Sequence, residues 1–384
     1  MMIDRERAIN TFMDLVTIDS VSLQEKQFAE FLRQLFIDMG FEVVEDVKSR
    51  KLVAGSSTGN MIVRVPGNAD LPTVILCSHM DTVEPGNGIE PIIDASGEWI
   101  ISKGDTILGA DDKGGIAQII EAVRTLQDAE LEHPPLELLF TFGEEIGLLG
   151  SKHVDAELLN GEDIYVIDGG PAVGDAYVGG PSSYVVKGEI HGKTAHAATH
   201  PEQGVSAVQV LAECITKMPL MKVSEQTSVN ISKLFCDSPL NVVPELARFE
   251  LEIRSADDDE AQNVLQHIEQ VLSNVTNHFG AKYTLEVETR MKAFRLNDDA
   301  PIIRRFQKVN ADLGIPTRSK RSKGGTDLSA LLERLDAQGL VLTVGSKNEH
   351  STEEALNIDI FLQCTERLVH LITSYADKTY LESE

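Results

Sequence analysis

The sequence predicts an α/β protein: a mixed sheet with helices on both faces, and a ferredoxin-like α+β domain inserted into it. Three observations predict this. Strand-like and helix-like segments alternate through the first half of the chain. A middle stretch departs from that alternation and reads β-α-β-β-α-β. The alternation then resumes to the end. These breaks divide the 384 residues into a first part of the larger domain (1–181), an inserted domain (182–293) and a second part of the larger domain (294–384).

Taken in order, Asp4 to Val16 and Leu23 to Met39 carry apolar residues at helical spacing. "FEVVEDV" and "NMIVRV" read as strands. "TVILCSHMD", "LELLFTF" and "DIYVIDGG" contain continuous apolar runs, as expected of strands buried on both faces. "GADDKGGIAQIIEAVRTL" turns through glycines into a helix, and "GEEIGLLGSKHV" leads toward another. Gly179-Gly180-Pro181 reads as a turn that opens the insertion. There "SSYVVKGEIHG", "TSVNISKLF", "ARFELEIRS" and "YTLEVETRM" are strand-like, and Val205 to Met218 is helix-like. A longer helix follows the stripe Ala261, Val264, Leu265, Ile268, Val271, Leu272, Val275, Phe279. Ser255 or an adjacent Asp caps its start, and Gly280 ends it. Beyond the insertion, Ala300 to Gly314 is helical, "LVLTVG" is a strand, and Ile358 to Tyr375 is a closing helix.

The totals narrow the function. A net charge of -27 argues against nucleic acid or an anionic membrane as partner, because phosphates would be repelled. No apolar run reaches the length of a membrane span. The four cysteines are widely spaced and form no C-x-x-C pair, so neither a redox motif nor a cysteine zinc site is expected. Buried free thiols and a charged amphipathic N-terminus suit a cytoplasmic protein.

The chemistry gathers where predicted strands end. "SHMDTV" holds His79 and Asp81, "GADDKGG" holds Asp111 and Asp112, "FGEEIG" holds Glu144 and Glu145, and "VIDGG" holds Asp168. His350 in "NEHSTEE" follows "LVLTVG" after a short loop. In open α/β sheets ligands collect beyond the carboxyl ends of the strands, so these positions can converge. Each motif alone is weak; the joint pattern is not. Burying so many carboxylates without cations is strongly unfavourable. Asp111, Glu145 and Asp168 with one hydroxide carry four negative charges, which two Zn²⁺ balance, and neutral His79 and His350 add nitrogen ligands. Histidine and carboxylate without cysteine suits a catalytic zinc pair.

The ordered set "SHMDTV", "GADDKGG", "GEEIG", "VIDGG" and "EHSTEE" resembles the dinuclear zinc exopeptidases of the aminoacylase and carboxypeptidase type. "GEEIGLLGSK" followed by "YVIDGG" is most similar to the peptidase T branch, the tripeptide aminopeptidases. The resemblance spans essentially the whole chain, and the inserted domain corresponds to the family's lid. It implies that His79 and Asp168 hold one zinc, Glu145 and His350 the other, and that Asp111 bridges them. It also implies Co²⁺ or Mn²⁺ as substitutes. Asp81 would orient His79, and Glu144 would be the general base, taking a proton from the bridging water and passing it to the leaving amine. Asn241 and Arg254 would hold the substrate's polar end, and Gly324 and Gly325 would bring backbone close to a bound short peptide. Asp112 and Lys113 are left as surface or supporting groups. Lid strands of this kind permit a homodimer.

The stretch "EHSTEEALNI" looks more like the carboxypeptidase and desuccinylase branches. An N-acyl amino acid amidohydrolase or a carboxypeptidase with the same site therefore stands as the alternative activity. A non-catalytic metal- or peptide-binding protein is disfavoured, because Glu144 and all five ligands are present. Finally, "HGKTAHAATH" puts three of the ten histidines in one decapeptide. It lies outside the strand-end set, so a third metal site is not expected. The resemblance falls on His196, which would donate a hydrogen bond to the oxyanion. His191 and His200 read as flanking loop residues.

Overall fold

A computed structural model describes residues 2–381. The chain forms two compact units. The larger runs up to Val178, then takes Arg295–Ser322 and everything described from Thr326 onward; the smaller comprises Gly179–Phe294 with Lys323–Gly325.

The larger unit is built on an eight-stranded sheet. Its spatial order is Glu42–Asp46, Asn60–Val65, Leu136–Thr141, Val74–His79, Asp163–Ile167, Gln338–Leu342, Asp175–Tyr177, Arg318–Lys320. The four middle strands, from Leu136–Thr141 to Gln338–Leu342, run parallel. Antiparallel pairs flank them, so the sheet is mixed. Because strand residues alternate between faces, Leu76, Leu138, Tyr165 and Leu340 enter one core with Phe12, Phe36, Ile119 and Leu368 from the long helices. The opposite face meets the short helix Asp327–Arg334 through Leu328, which leaves no room for a side chain at Gly339. Each leucine buried in this way stabilises the fold by about 1.5–3 kcal/mol.

Two expectations shift. "FEVVEDV" stops as a strand at Asp46, whose carboxylate accepts the Ser49 N–H at 2.9 Å and caps a helix, Val47–Leu52. A second, four-stranded sheet is present that the sequence did not suggest: Pro91–Ile93, Trp99–Ser102, Ala355–Asn357 and Ser346–Lys347. Strands of two to four residues are too short to display a period. This small sheet matters, because the turn between its last two strands carries His350.

The smaller unit is an antiparallel sheet in the order Met221–Lys222, Thr227–Phe235, Leu246–Ser255, Ser182–His191, Lys282–Met291. Helices Ala207–Ile215 and Asp258–Phe279 pack on it around Val186, Ile190, Leu251, Ile253, Ile268 and Leu272. Asp257 caps the long helix by accepting the Asp259 and Glu260 N–H groups, and Gly280 ends it in the left-handed conformation at φ 66°. Among the described residues, no helix is long and apolar enough to cross a membrane. Three thiols are buried, but Cys236 is exposed.

Candidate metal centre

The parallel strands point their carboxyl ends the same way, which delivers most of the candidate ligands to one edge. His79 is the last residue of its strand. Asp168 follows Asp163–Ile167, and Glu144 and Glu145 follow Leu136–Thr141 by a tight turn at Gly143, φ 61°. Asp111 sits at the kinked start of helix Ala110–Asp128, after left-handed Gly109 at φ 73°. His350 comes from the turn of the small sheet, itself at φ 61°.

The side chains converge. His79, Asp111 and Asp168 each offer a ligand atom within 4.8 Å of the others, and so do Asp111, Glu145 and His350. A third group joins His79, Glu144 and Glu145. Asp111 stands in the middle: its Oδ1 is 3.0 Å from His79 Nε2, and its Oδ2 is 3.2 Å from His350 Nε2. His350 Nε2 is also 3.0 Å from Glu145 Oε2.

The electrostatics describe a cluster short of positive charge. Burial opposes ionising His79, but Asp111 and Asp81 outweigh it and raise its pKa. His350 is pushed up to about 10 by its hydrogen bonds to Asp111 and Glu145. Burial, with the charge of Asp111 behind it, pushes Asp168 up to about 8. Burial would raise Asp111 as well, yet the two imidazoles hold it well below the usual carboxylate range. Burial raises Glu144, reinforced by Asp327 and Asp168 against the opposing effect of His79.

The residues fit a pair of divalent cations. His79 Nδ1 is 2.9 Å from the Asp81 carbonyl oxygen, a contact in which the ring must donate, so the neutral imidazole has its Nε2 lone pair facing the carboxylates. Glu145 Oε1 is buried with no hydrogen-bond partner, an arrangement that a cation would relieve. Protons and metal ions compete for such lone pairs. Nitrogen and carboxylate donors without thiolate are the donor set expected of catalytic zinc, with cobalt or manganese as substitutes.

Asp81 stands beside the His79 ring with both its main chain and its side chain. Its main-chain carbonyl orients His79, while its carboxylate Oδ1 stands 3.5 Å from the ring. The carboxylate also accepts the Glu144 N–H at 2.9 Å, the Glu145 N–H at 3.2 Å and the Ser22 hydroxyl at 2.7 Å. It therefore fixes the backbone of both glutamates, because two adjacent amides converge on it.

Several supporting residues escaped the sequence reading. Asp112 and Lys113, left open as surface or supporting groups, are fully buried and supporting. Asp112 takes the Ser78 hydroxyl and the N–H groups of His79 and Gly115. Lys113 donates to the Ile18 carbonyl at 2.6 Å and lies over the Phe28 ring. Buried Glu25 accepts from Gly143 N–H at 3.1 Å and Leu23 N–H at 2.8 Å, which anchors the turn before Glu144; burial, then the charge of Asp81, pushes its pKa up to about 7. Asp327, the end of the "KGGTD" motif, takes the Thr141 hydroxyl beneath the same turn. Each was visible only as one more acidic or basic residue.

The other predicted positions lie in the smaller unit. His196 is exposed, and its Nδ1 accepts the Ala198 and Thr199 N–H groups, both at 3.2 Å, so Nε2 carries the proton. The Asn241 carbonyl accepts the Ala197 N–H at 3.0 Å. Arg254 donates to Glu252 at 3.0 Å and reaches the Lys323 carbonyl at 3.5 Å, next to Gly324 and Gly325. A side chain at Gly324 would meet nothing within 4 Å, so no crowding in the fold demands glycine there. His191 ends the strand Ser182–His191 and pairs with Glu189 at 3.3 Å, rather than lying in the loop. His200 stacks its contacts locally on Thr199.

Comparison with known proteins identifies the family. Residues 75–374 match the Peptidase family M20/M25/M40. The chain is 31% identical over 375 residues to the YqjE protein of Bacillus subtilis, covering 98% of this chain and 100% of that one. The crystal structure of aminopeptidase PepT from Bacillus cereus superposes with a TM-score of 0.92 at 32% identity, covering 98% of this chain and 100% of that one. A tripeptidase structure from Staphylococcus aureus gives a TM-score of 0.90 at 33% identity, with coverage of 98% and 100%. With a central sheet that gathers these ligands at one edge and a family match over most of its length, the chain belongs to peptidase family M20/M25/M40.

Proposed function

We propose that this peptidase is a two-metal aminopeptidase of short peptides, acting on tripeptide-sized substrates with a free amino end. The observation that carries the proposal is Asp111, whose two oxygens face two imidazoles, each backed by its own further carboxylate. His79, Asp111 and Asp168 would hold one zinc, and Asp111, Glu145 and His350 the second. The pair, when bound, would supply an acidified water and polarise the scissile carbonyl. The adjacent glutamates divide the work. Glu145 is engaged with His350, whereas Glu144 has its main chain held by Asp81 and its carboxylate left to receive a proton from the water and deliver it to the leaving amine. His196, its Nδ1 occupied by two amides, offers an Nε2–H to the oxyanion. Arg254 and Asn241 are proposed to bind the polar end of the peptide, with Gly324 and Gly325 alongside it. The peptide size rests on the similarity to proteins named aminopeptidase PepT and tripeptidase.

The test is a direct competition of substrates on the zinc-loaded protein. A free-amine tripeptide should be cleaved from its amino end, faster than an N-acylated amino acid. Preference for the acylated compound would replace the aminopeptidase reading with the amidohydrolase one, and release of the carboxyl-terminal residue would indicate a carboxypeptidase.

A further inference from the structure

Glu354 lies four residues beyond His350, and its carboxylate is buried, 2% exposed. Oε2 accepts the N–H groups of Leu108 and Gly109, each at 2.8 Å, and Oε1 accepts the Asp111 N–H at 3.0 Å. These amides belong to the turn that opens helix Ala110–Asp128, where Asp111 and Asp112 depart from helical angles. Converging amides at a helix start form an anion site. Here the anion comes from a residue more than two hundred positions away.

The other end of the link is strained. Asn348 and His350 both adopt left-handed backbone, at φ 56° and 61°, which is unfavourable for residues with a Cβ. Glu354 donates its own N–H to the Ser351 carbonyl at 3.1 Å, closing that turn. One carboxylate thus fastens two turns together, and each turn presents one of the facing groups Asp111 Oδ2 and His350 Nε2. His79 and Asp168 need no such fastening to each other, because their strands pair directly from Val74↔Asp163 to Cys77↔Val166.

We propose that Glu354 is a positioning residue that sets the spacing of Asp111 and His350, and so controls affinity at the metal position formed by Asp111, Glu145 and His350 selectively over the position of His79 and Asp168. This rests on the two-metal reading. The experiment is a Co²⁺ titration of the metal-free full-length protein, followed by visible absorption and calorimetry, for wild type, Glu354→Gln, Glu354→Ala and the exposed neighbour variant Glu353→Gln. Wild type and Glu353→Gln should take up two equivalents. Both Glu354 variants should keep the first step within about 3-fold and weaken the second by about 10–100-fold, the range for groups that orient metal ligands. Glu354→Gln should fall between, because its amide keeps one acceptor but turns an NH₂ toward an N–H. Far-UV circular dichroism of the metal-free proteins checks the fold, and Glu354→Gln carries the comparison should Glu354→Ala not fold. Equal weakening of both steps, or none, would overturn the proposal. A wild type that takes up only one Co²⁺ would instead remove the two-metal reading, and this one with it.

Discussion

His79 and His196 use the main chain in opposite ways. His79 is buried at the end of a central strand, and its Nδ1–H donates a hydrogen bond to the Asp81 carbonyl. His196 is exposed in a loop of the smaller unit, and its Nδ1 receives two amide protons. The first arrangement leaves a bare nitrogen suited to a cation, and the second leaves an N–H suited to an anion. The same side chain therefore acquires two chemistries, and the difference is made by whether a carbonyl or a pair of amides stands next to it. Three histidines within ten residues look more like a metal cluster than one histidine at a strand end, yet the geometry favours the latter.

This contrast can be broken by mutation, beginning with the largest expected effect. His79→Ala should abolish peptide turnover together with metal at its position, read by metal content after gel filtration. Glu144→Ala should lower kcat by about 10³–10⁴-fold while metal content stays at the wild-type value, since the base is asked to move a proton and not to hold an ion. A variant that loses metal would reassign Glu144 as a ligand. For His196→Ala a fall in kcat of about 10²–10³-fold is expected, again with metal retained. His196→Gln, which restores an N–H donor, should recover part of it; parallel loss of metal would erase the contrast with His79. Asp81→Asn should cost about 10–100-fold in activity, through slackening of the Glu144–Glu145 turn as well as through the ring of His79. The smallest effect on the centre should come from Ile268→Ala in the smaller unit. It should lower unfolding stability by about 2–5 kcal/mol in denaturant melts and leave metal uptake by the larger unit unchanged.

The strands and ligands of the centre were legible for physical reasons. Buried parallel strands require continuous apolar runs, and polar residues set beside glycine at their ends are conspicuous against them. Glu145 and Asp168 carry that signature, and His79 follows a small serine instead. His350 carries it less directly: it was placed by its distance after "LVLTVG", while the two- and three-residue strands that flank it show no pattern of their own. Least legible were the residues that hold the ligands' backbones. Glu25, Glu354 and Asp81 each bind amides that are distant in sequence, and a carboxylate-to-amide bond leaves no periodicity or fixed spacing behind. The aspartate and lysine after Asp111 could be surface or supporting groups from sequence, since charge is normally solvated, and here Asp112 and Lys113 are buried among main-chain partners.

The position of strand Gln338–Leu342, between Asp163–Ile167 and Asp175–Tyr177, has a consequence for how the protein comes into being. During translation His79, Asp111, Glu145 and Asp168 emerge early, but their sheet lacks an interior strand until the last tenth or so of the chain is made, and His350 follows that strand. A ribosome-bound fragment would thus expose a row of carboxylates without the histidine that completes the second triad. The cluster of Asp111, Glu145 and His350 can therefore close only after strand Gln338–Leu342 has been made.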